Sequence, residues 1–329
     1  MRIVLAPMEG VIDHIMRDLL TRIGGIDLCV TEFVRVSDQL LPPRVFHRDC
    51  PELLSGCQTP AGVPVVLQLL GGKAAPMAEN AAMAAELGAP AIDINFGCPA
   101  KTVNRHDGGA SLLRSPERIY EIVSAVRRAV PATIPVTAKI RLGFSDTSLA
   151  LDNALAVESA GAREITVHGR TRQDGYKPPA YWDWIGRIRE ALAIPVIANG
   201  EIWTVEDYHR CREESGCQDV MIGRGLIRYP DLALRIKADG AGAVQPAAIN
   251  LFDLLLEFFL LSQKQNKPAR YLCDRTKQWA SLLGIGHPDV MAFFQDIKRE
   301  KCQESILKRI LAYQSASPPS ATPRLSVPA

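Results

Sequence analysis

The chain lacks several features that would place it outside the cytoplasm. Its eight cysteines include no CxxC pair, and the apolar run Ile3–Pro7 near the start is too short for a signal-peptide core. The longest apolar stretch, Leu251–Leu261, is interrupted by Asp253 and Glu257, which predicts an amphipathic helix and not a membrane span. We therefore expect a cytoplasmic protein with reduced cysteines and no membrane partner.

The sequence also lacks a recognisable metal motif. Cys29, Cys50 and Cys57 come closest, but their spacing is not that of a zinc site. We expect no metal and expect these cysteines to pack as small apolar side chains. Shared metal ligation by the three remains the alternative.

A large excess of one charge is absent as well, since the formal net charge is only +2. The charge is unevenly distributed, however. Residues 1–248 contain 27 Lys and Arg against 29 Asp and Glu, whereas residues 249–313 contain ten against seven. A mildly basic region attached to a mildly acidic one indicates, weakly, a polyanionic partner.

A repeated pattern of a short apolar run followed by a helical stretch predicts the fold. The first strand is not followed by GxGxxG, which disfavours a doubly wound dinucleotide-binding sheet. Ser115-Pro116 has the composition of a helix start. Eight strand–helix units predict a (β/α)₈ TIM barrel followed by a small all-helical domain. The runs are Ile3–Ala6, Leu28–Thr31, Pro64–Leu69, Ala91–Asn95, Pro135–Ile140, Glu164–Val167, Pro195–Ala198 and Asp219–Ile222.

The domain organisation follows from where these runs stop. We expect a catalytic barrel over residues 1–238, a linker over 239–248 and a helical domain over 249–313. The Pro/Ser-rich residues 314–329 are expected to be disordered.

One helix of the expected helical domain has two distinct faces. Leu272, Trp279 and Leu283 fall on its apolar face, whereas Arg270 and Lys277 fall opposite, where we expect them to point to solvent.

Polar residues stand at nearly every predicted strand end, which is where barrel enzymes carry their active sites. Burying so many polar groups is costly unless they bind something. The glycine-containing ends Asn199-Gly200-Glu201 and Gly223-Arg224 favour a phosphate site, although the glycines could merely turn the chain.

Lys139 and His168 are two further candidates at strand ends. A buried lysine needs an anionic or electron-rich partner, which could be a bound cofactor or, alternatively, a rim acid such as Glu32. His168 could equally be a structural histidine.

Cys98 lies in the turn Asn95-Phe-Gly-Cys-Pro99 after the fourth strand. No histidine is placed to make it a nucleophile, since His106 is eight residues away, so a protonated acid is the better interpretation. Nearby cations such as Lys139 and Arg141 are expected to lower its pKa. A structural cysteine remains the alternative.

The strand ends together resemble those of a known family, the tRNA-dihydrouridine synthases, and most closely bacterial subfamily C. The resemblance spans residues 1–235, with subfamily features near Glu32–His47 and at Arg275–Trp279. Its motifs are Leu5-Ala-Pro-Met-Glu-Gly10, Gln68-Leu69, Asn95-Phe-Gly-Cys-Pro99, Gly108-Gly-Ala-Ser-Leu-Leu113, Lys139-Ile-Arg-Leu-Gly143, His168-Gly-Arg-Thr171, Asn199-Gly-Glu-Ile202 and Met221-Ile-Gly-Arg-Gly225.

The resemblance implies a barrel enzyme that binds FMN, takes electrons from NADPH and reduces a uridine of the tRNA D-loop, at position 16, to 5,6-dihydrouridine. Cys98 would be the catalytic proton donor. The cofactor residues would be Pro7, Met8, Glu9, Gln68, Lys139, His168, Asn199, Gly200, Glu201, Gly223 and Arg224. The tRNA would be bound by Arg35, Asn95, Arg141, Arg275 and Lys277.

Two other functions remain open from the sequence. A flavin barrel acting on a small molecule, such as a dihydroorotate dehydrogenase, would explain the strand ends but not the basic helical region. An RNA-binding protein with an inactive barrel would explain the basic helical region but not the polar strand ends.

Overall fold

The computed structural model describes residues 1–242, 249–265 and 267–316. It contains nine strands, most of them beginning or ending within one residue of the predicted runs. The strands are β1 Ile3–Leu5, β2 Leu28–Val30, β3 Val34–Arg35, β4 Val65–Leu70, β5 Ile92–Asn95, β6 Val136–Arg141, β7 Glu164–His168, β8 Val196–Asn199 and β9 Val220–Ile222.

Fourteen α-helices and two 3₁₀ helices are found in the described residues. The 3₁₀ helices are Pro51–Ser55 and Gly109–Arg114. The α-helices are α1 His14–Ile23, α2 Pro43–Asp49, α3 Ala74–Glu86, α4 Lys101–Arg105, α5 Pro116–Ala129, α6 Ala150–Ser159, α7 Trp182–Ala191, α8 Val205–Ser215, α9 Arg224–Arg228, α10 Leu232–Gly240, α11 Leu251–Gln263, α12 Ala269–Gly284, α13 Pro288–Ile297 and α14 Gln303–Ala316.

The strands close into a parallel barrel, which confirms the predicted fold. The order is β2-β1-β9-β8-β7-β6-β5-β4, and β2 also pairs with β4 through Cys29↔Val65 and Val30↔Val66. The additional strand β3 extends from β4 through Val34↔Leu69 and was missed, because two residues show no alternation. Val4, Ala6, Val30, Val66, Ala91, Ile197 and Met221 form a buried cluster.

The sequence correctly predicts where helix α5 begins, but the Ser115 side chain does not cap the helix. Helix α5 begins at Pro116, as predicted, because this position needs no N–H donor. Ser115 makes no side-chain cap, however; its hydroxyl donates to Glu117 at 3.2 Å. Capping is seen instead at α8, where Thr204 and Asp207 form a capping box.

Contacts divide the chain into two compact units. Unit 1 comprises Met1–His14 and Ile26–Gly223, and unit 2 comprises Ile15–Gly25 and the described residues from Arg224 onward. The predicted boundary at residue 238 is thus not where the contacts divide, and residues 239 and 240 belong to α10. Residues 243–248 of the predicted linker and 317–329 of the predicted tail lie outside the described residues.

Unit 2 is helical, with α11 to α14 in the region where three or four helices were predicted. Its core is aromatic: the rings of Phe258 and Trp279 meet edge to face at 5.0 Å, and those of Phe252 and Phe293 at 5.7 Å. Trp279 Nε1 donates to the Ile227 carbonyl at 3.3 Å.

No helix in the described part of the chain is both long and apolar enough to cross a membrane. The three cysteines that the sequence offers as possible metal ligands, Cys29, Cys50 and Cys57, are buried, as expected of small apolar side chains. Among the described residues, no group of three or more His, Cys, Asp or Glu side chains is placed to hold a metal ion.

Candidate active site

The polar strand ends of unit 1 are neighbours across the sheet. Asn95 pairs with Lys139, Arg141 pairs with His168, and His168 pairs with Asn199 in the strand registers. The carboxyl ends of all eight parallel strands lie at one edge of the barrel. The fold therefore brings the predicted residues of β5 to β8 together.

Lys139 occupies the end of β6 and donates from Nζ to Asn199 Oδ1 at 2.9 Å. Its partner in the described residues is thus an amide oxygen and not Glu32, whose Oε1 accepts from the Val11 amide at 3.2 Å. The lysine is half-buried, so part of it stays accessible to solvent.

Burial and, to a smaller extent, the nearby Arg141 guanidinium together lower the pKa of Lys139 to about 7, against the opposing effect of Asp93. A lysine near this value is close to half-protonated at neutral pH. Any negative charge placed beside Nζ would favour its charged form. Lys139 is therefore suited to receiving an anionic or electron-rich group.

Asn199 is held in one orientation by β9. Its Nδ2 donates to the Met221 carbonyl at 2.8 Å, so its Oδ1 faces Lys139. Asn199 at the end of β8 thus orients Lys139 of β6, from which it is separated by β7.

The Cys98 turn is fixed by several hydrogen bonds. Asn95 Oδ1 accepts from the backbone amides of Gly97 and Cys98, both at 2.9 Å. The Cys98 carbonyl accepts from Ala110 N at 3.1 Å and from Asn104 Nδ2 at 3.0 Å. The thiol is half-buried on a rigid turn.

The expected lowering of the Cys98 pKa is wrong. Burial raises the pKa of the thiol, and the opposing effects of Arg141 and Arg35 are smaller, because removing a thiolate from water costs more than these cations return. Lys139 is not among the charges that shift it. A raised pKa keeps the thiol protonated at neutral pH and favours the acid over the nucleophile.

Arg141 is buried and bound to backbone carbonyls. Its Nε donates to the Gly97 carbonyl at 2.7 Å, and its Nη1 donates to the carbonyls of Thr171 at 3.1 Å and Gly175 at 3.0 Å. The guanidinium also lies 5.3 Å from the Tyr176 ring centroid. Burial lowers the pKa of Arg141. The arginine joins the Cys98 turn to the segment after β7.

His168 and Gly200 are in close contact. Gly200 has φ of +118°, and a Cβ at this position would lie 2.9 Å from His168 Cδ2. Glycine is therefore required here for two reasons: other residues disfavour this backbone conformation, and a side chain would collide with His168. The second reason goes beyond the turn-forming role that the sequence left open. Whether His168 contacts a ligand stays a prediction.

Glu201 directs its carboxylate at a buried arginine. It forms an ion pair with Arg170, and its Oε1 accepts from Trp203 Nε1 at 2.9 Å. Its φ of +59° is uncommon for a side-chain-bearing residue. The carboxylate is thus occupied by protein groups.

The remaining predicted residues are spread over both units. In unit 1, Pro7 and Met8 are half-buried, Gly223 is half-buried at the end of β9, and Glu9 and Arg35 are exposed. In unit 2, Arg224 begins α9, and Arg275 and Lys277 lie on α12.

Arg275 and Lys277 differ from expectation. Arg275 is only 8% exposed, contacts the Phe258 ring at 5.5 Å and donates to Gln278. The Lys277 side chain is 15% exposed and lies 3.6 Å from Asp274, whereas that of Arg270 is 93% exposed. The expected solvent-facing position of Lys277 is wrong. The apolar face of Leu272, Trp279 and Leu283 is confirmed by its burial.

Sequence reasoning missed three residues at this edge of unit 1. Asp93, Arg170 and Tyr176 contact the predicted residues but were not singled out. Asp93 could have been found, since it is a charge inside the apolar strand Ala91–Asn95. Arg170 and Tyr176 follow β7 and gave no comparable signal.

Comparisons with known proteins show the family of this chain. A family model described as dihydrouridine synthase matches residues 4–282. The chain is 53% identical over 302 residues to the tRNA-dihydrouridine(16) synthase of Pseudomonas putida, covering 91% of this chain and 93% of that one. It is 52% identical over 308 residues to the synthase of the same name from Shewanella oneidensis, covering 94% and 96%.

A solved structure supports the fold alone. A 2-naphthoyl-CoA reductase complex matches with a TM-score of 0.55 at 11% identity, covering 74% of this chain and 50% of that chain. At this identity the match concerns the barrel and says nothing of substrate.

Proposed function

Because the chain belongs to the dihydrouridine synthase family, we propose that it reduces the uridine at position 16 of tRNA to 5,6-dihydrouridine, with FMN as cofactor and NADPH as reductant. Membership makes the chain an oxidoreductase that acts on tRNA. The observation that carries the finer proposal is that the half-buried Cys98 and Lys139 stand at the same edge of the barrel, where burial raises the pKa of the thiol and lowers that of the lysine.

The residues of this edge fit a flavin. Lys139 Nζ makes one hydrogen bond within the described residues, to Asn199, and so retains donor capacity. The pyrimidine edge of a flavin carries carbonyl oxygens and gains negative charge on reduction, which a lysine with a pKa near 7 would stabilise. When bound, the flavin supplies the hydride that the uracil ring receives.

We assign the cofactor to the strand ends that border Lys139. Pro7, Met8 and Gln68 would contact the flavin ring, and Lys139 its pyrimidine edge. The ribityl chain and phosphate would be held by His168, Asn199, Gly200, Glu201, Gly223 and Arg224. Since the Glu201 carboxylate is paired with Arg170, its contribution would come from the backbone.

Cys98 would hold the proton that the uracil ring takes up at C5. Burial keeps the proton on Sγ at neutral pH, and the hydrogen-bonded turn holds the thiol in place. General acids of this kind contribute roughly 10²- to 10⁴-fold to a rate.

Asn95 and Arg141 would bind the uracil itself. The base has to leave its stack, because its C5–C6 bond is inaccessible within the helix. The second Nδ2–H of Asn95 is available among the described residues, and Arg141 carries a fixed positive charge beside Cys98. Arg35, exposed in unit 1, would contact the RNA backbone.

Product mapping would test this proposal directly. The purified full chain with FMN, NADPH and an unmodified tRNA transcript should form dihydrouridine at position 16, detected by mass spectrometry of nuclease fragments. A matched transcript with cytidine at that position is the control and should stay unreduced. Reduction of free uracil or orotate, with none of tRNA, would contradict the proposal.

A further inference from the structure

The proposed reaction assigns no role to Asp93, although it is a buried carboxylate beneath the active-site edge. Asp93 lies in the middle of β5, is 3% exposed and pairs in register with Gln68 of β4. Such a group is retained at considerable cost unless its hydrogen bonds are used.

A continuous chain of hydrogen bonds runs from Asp93 to the Cys98 turn. Gln68 Nε2 donates to Asp93 Oδ2 at 2.6 Å, and Asn95 Nδ2 donates to Gln68 Oε1 at 2.8 Å. Asn95 Oδ1 then accepts from the amides of Gly97 and Cys98 at 2.9 Å. Two side-chain amides thus connect a carboxylate to the turn that carries the thiol.

The chemistry of the two ends determines how both amides are oriented. The two carboxyl oxygens of Asp93 accept from Thr137 Oγ1 and Gln68 Nε2, so Gln68 presents its NH₂ group to Asp93 and its oxygen to Asn95. Asn95 must then present its NH₂ group to Gln68 and its oxygen to the turn. The backbone amides of the turn only donate, so they require the same orientation independently.

We propose that Asp93 is a positioning residue, whose carboxylate holds the Gln68 and Asn95 amides in one orientation and thereby holds the Cys98 turn. This inference rests on the proposed function, since that function places Gln68, Asn95 and Cys98 at the flavin and the uracil. Asp93 itself touches neither.

The orientation determines what the Asn95 amide offers to a ligand. With one N–H used in the chain, Asn95 Nδ2 retains a second N–H within the described residues, and the fully buried Gln68 keeps Asn95 in this orientation. Uracil and the flavin ring both carry carbonyl oxygens, which need donors. A reversed amide would place oxygen against oxygen and repel the same ligand.

Charge is the competing explanation for a carboxylate here. Asp93 acts to raise the pKa of Lys139. The pKa of Asp93 is itself raised by burial, which outweighs the lowering by the hydrogen bonds from Thr137 and Gln68. Orientation and charge can be separated by substitution. An asparagine keeps an oxygen for Gln68 and can donate to Thr137 Oγ1, now 2.6 Å from Asp93 Oδ1, but removes the charge.

Three variants of the full chain would test the proposal. Asp93→Leu removes the acceptor at similar volume, Asp93→Asn keeps the acceptor without the charge, and Thr137→Val removes only the second hydrogen bond to Asp93. Alkylation by iodoacetamide, followed peptide by peptide without tRNA or NADPH, reports on the turn through Cys98. The buried Cys29 and the exposed Cys302 serve as internal standards.

We expect Asp93→Leu to speed alkylation of Cys98 by roughly five- to tenfold, the effect of one lost hydrogen bond, with Cys29 and Cys302 unchanged. Asp93→Asn and Thr137→Val should behave as the parent does. A merely structural role would expose Cys29 together with Cys98, which would overturn the proposal. An unchanged Cys98 in Asp93→Leu, or equal effects of leucine and asparagine, would overturn it as well.

Should Asp93→Leu not fold, Gln68→Met interrupts the same chain one link later. It should raise Cys98 alkylation equally, and an unchanged rate would refute the positioning role. These measurements need no turnover. Failure to find dihydrouridine in tRNA would refute the proposed function while the alkylation pattern still decides the role of Asp93.

Discussion

The two units satisfy their buried polar side chains in different ways. In unit 2, Thr21 Oγ1 donates to the Arg17 carbonyl at 2.8 Å and Thr276 Oγ1 to the Leu272 carbonyl at 2.9 Å, each within its own helix. In unit 1, Lys139 and Asn199 bond across strands at the barrel edge. Helical hydroxyls find acceptors one turn away, whereas side chains at strand ends depend on their neighbours.

Arg22 and Lys139, one charge from each unit, differ in their partners. Arg22 of unit 2 pairs with Glu257 and, at 2.8 Å, with Asp18, so each charge has an opposite charge beside it. Lys139 of unit 1 has an amide oxygen as its hydrogen-bond partner. The Arg22 guanidinium is already paired with carboxylates, whereas the Lys139 ammonium faces an uncharged amide and can still bind an anionic ligand. This difference predicts a ligand beside Lys139 and none beside Arg22.

The largest expected effect concerns Cys98. Cys98→Ala should slow reoxidation of the reduced flavin by tRNA by roughly 10²- to 10⁴-fold, because the proton donor is lost, and leave flavin reduction by NADPH nearly unchanged. Stopped-flow absorbance measures both half-reactions. Cys302→Ser, at the exposed cysteine of unit 2, is the matched control and should react as the parent does. Equal loss in both half-reactions would assign Cys98 a structural role.

Lys139 should give the next largest effect. Lys139→Met keeps the aliphatic stem but removes the donor, and should weaken FMN binding by roughly tenfold to a hundredfold, the range for a charged hydrogen bond. Fluorescence titration of FMN measures the affinity. Lys73→Met, at an exposed lysine of unit 1, should bind FMN as the parent does. An unchanged affinity in Lys139→Met would remove this lysine from the cofactor site.

A smaller effect would show whether unit 2 contacts RNA. If Arg275 and Lys277 contact phosphates, the double Arg275→Ala, Lys277→Ala variant should bind tRNA more weakly. Its log–log salt slope should be shallower by about 0.7–0.9 per lost contact. Filter binding at several salt concentrations measures both quantities.

The control for that comparison is Arg270→Ala on the same helix. Arg270 is fully solvated and lies 3.5 Å from Asp274. Because Arg275 is buried, a thermal melt has to accompany each variant. Parent-like affinity and slope in the double variant would exclude these residues from the RNA surface.

The smallest expected effect is on stability as pH changes. The folded-state pKa of Lys139 is about 7, below its usual 10.5, so the unfolded chain binds more protons between these values. The stability that Lys139 contributes should therefore rise as pH increases through that window. Melting curves of the flavin-free parent and Lys139→Met should diverge accordingly. Parallel curves would mean that Lys139 is not desolvated.

Much of the barrel edge could be predicted from the sequence because the end of an apolar run marks the end of a strand. Asn95, Lys139, His168 and Asn199 each stand where a β-branched run stops, and the register brings them together. Asp93 was overlooked although a charge inside the apolar run Ala91–Asn95 is visible in the sequence. The pKa of Cys98 was predicted in the wrong direction, since a list of neighbouring cations says nothing of desolvation.

The amino-acid sequence alone determined the eight strands, their parallel order and the residues at their ends, because burial on both faces requires continuous apolar runs. Only the tertiary structure decided which donor meets which acceptor: Lys139 with Asn199, Glu201 with Arg170, and Asp93 with Gln68. Such pairings join residues far apart in the chain. The free energies of these hydrogen bonds and ion pairs depend on how deeply they are buried, which cannot be read from a local stretch of sequence.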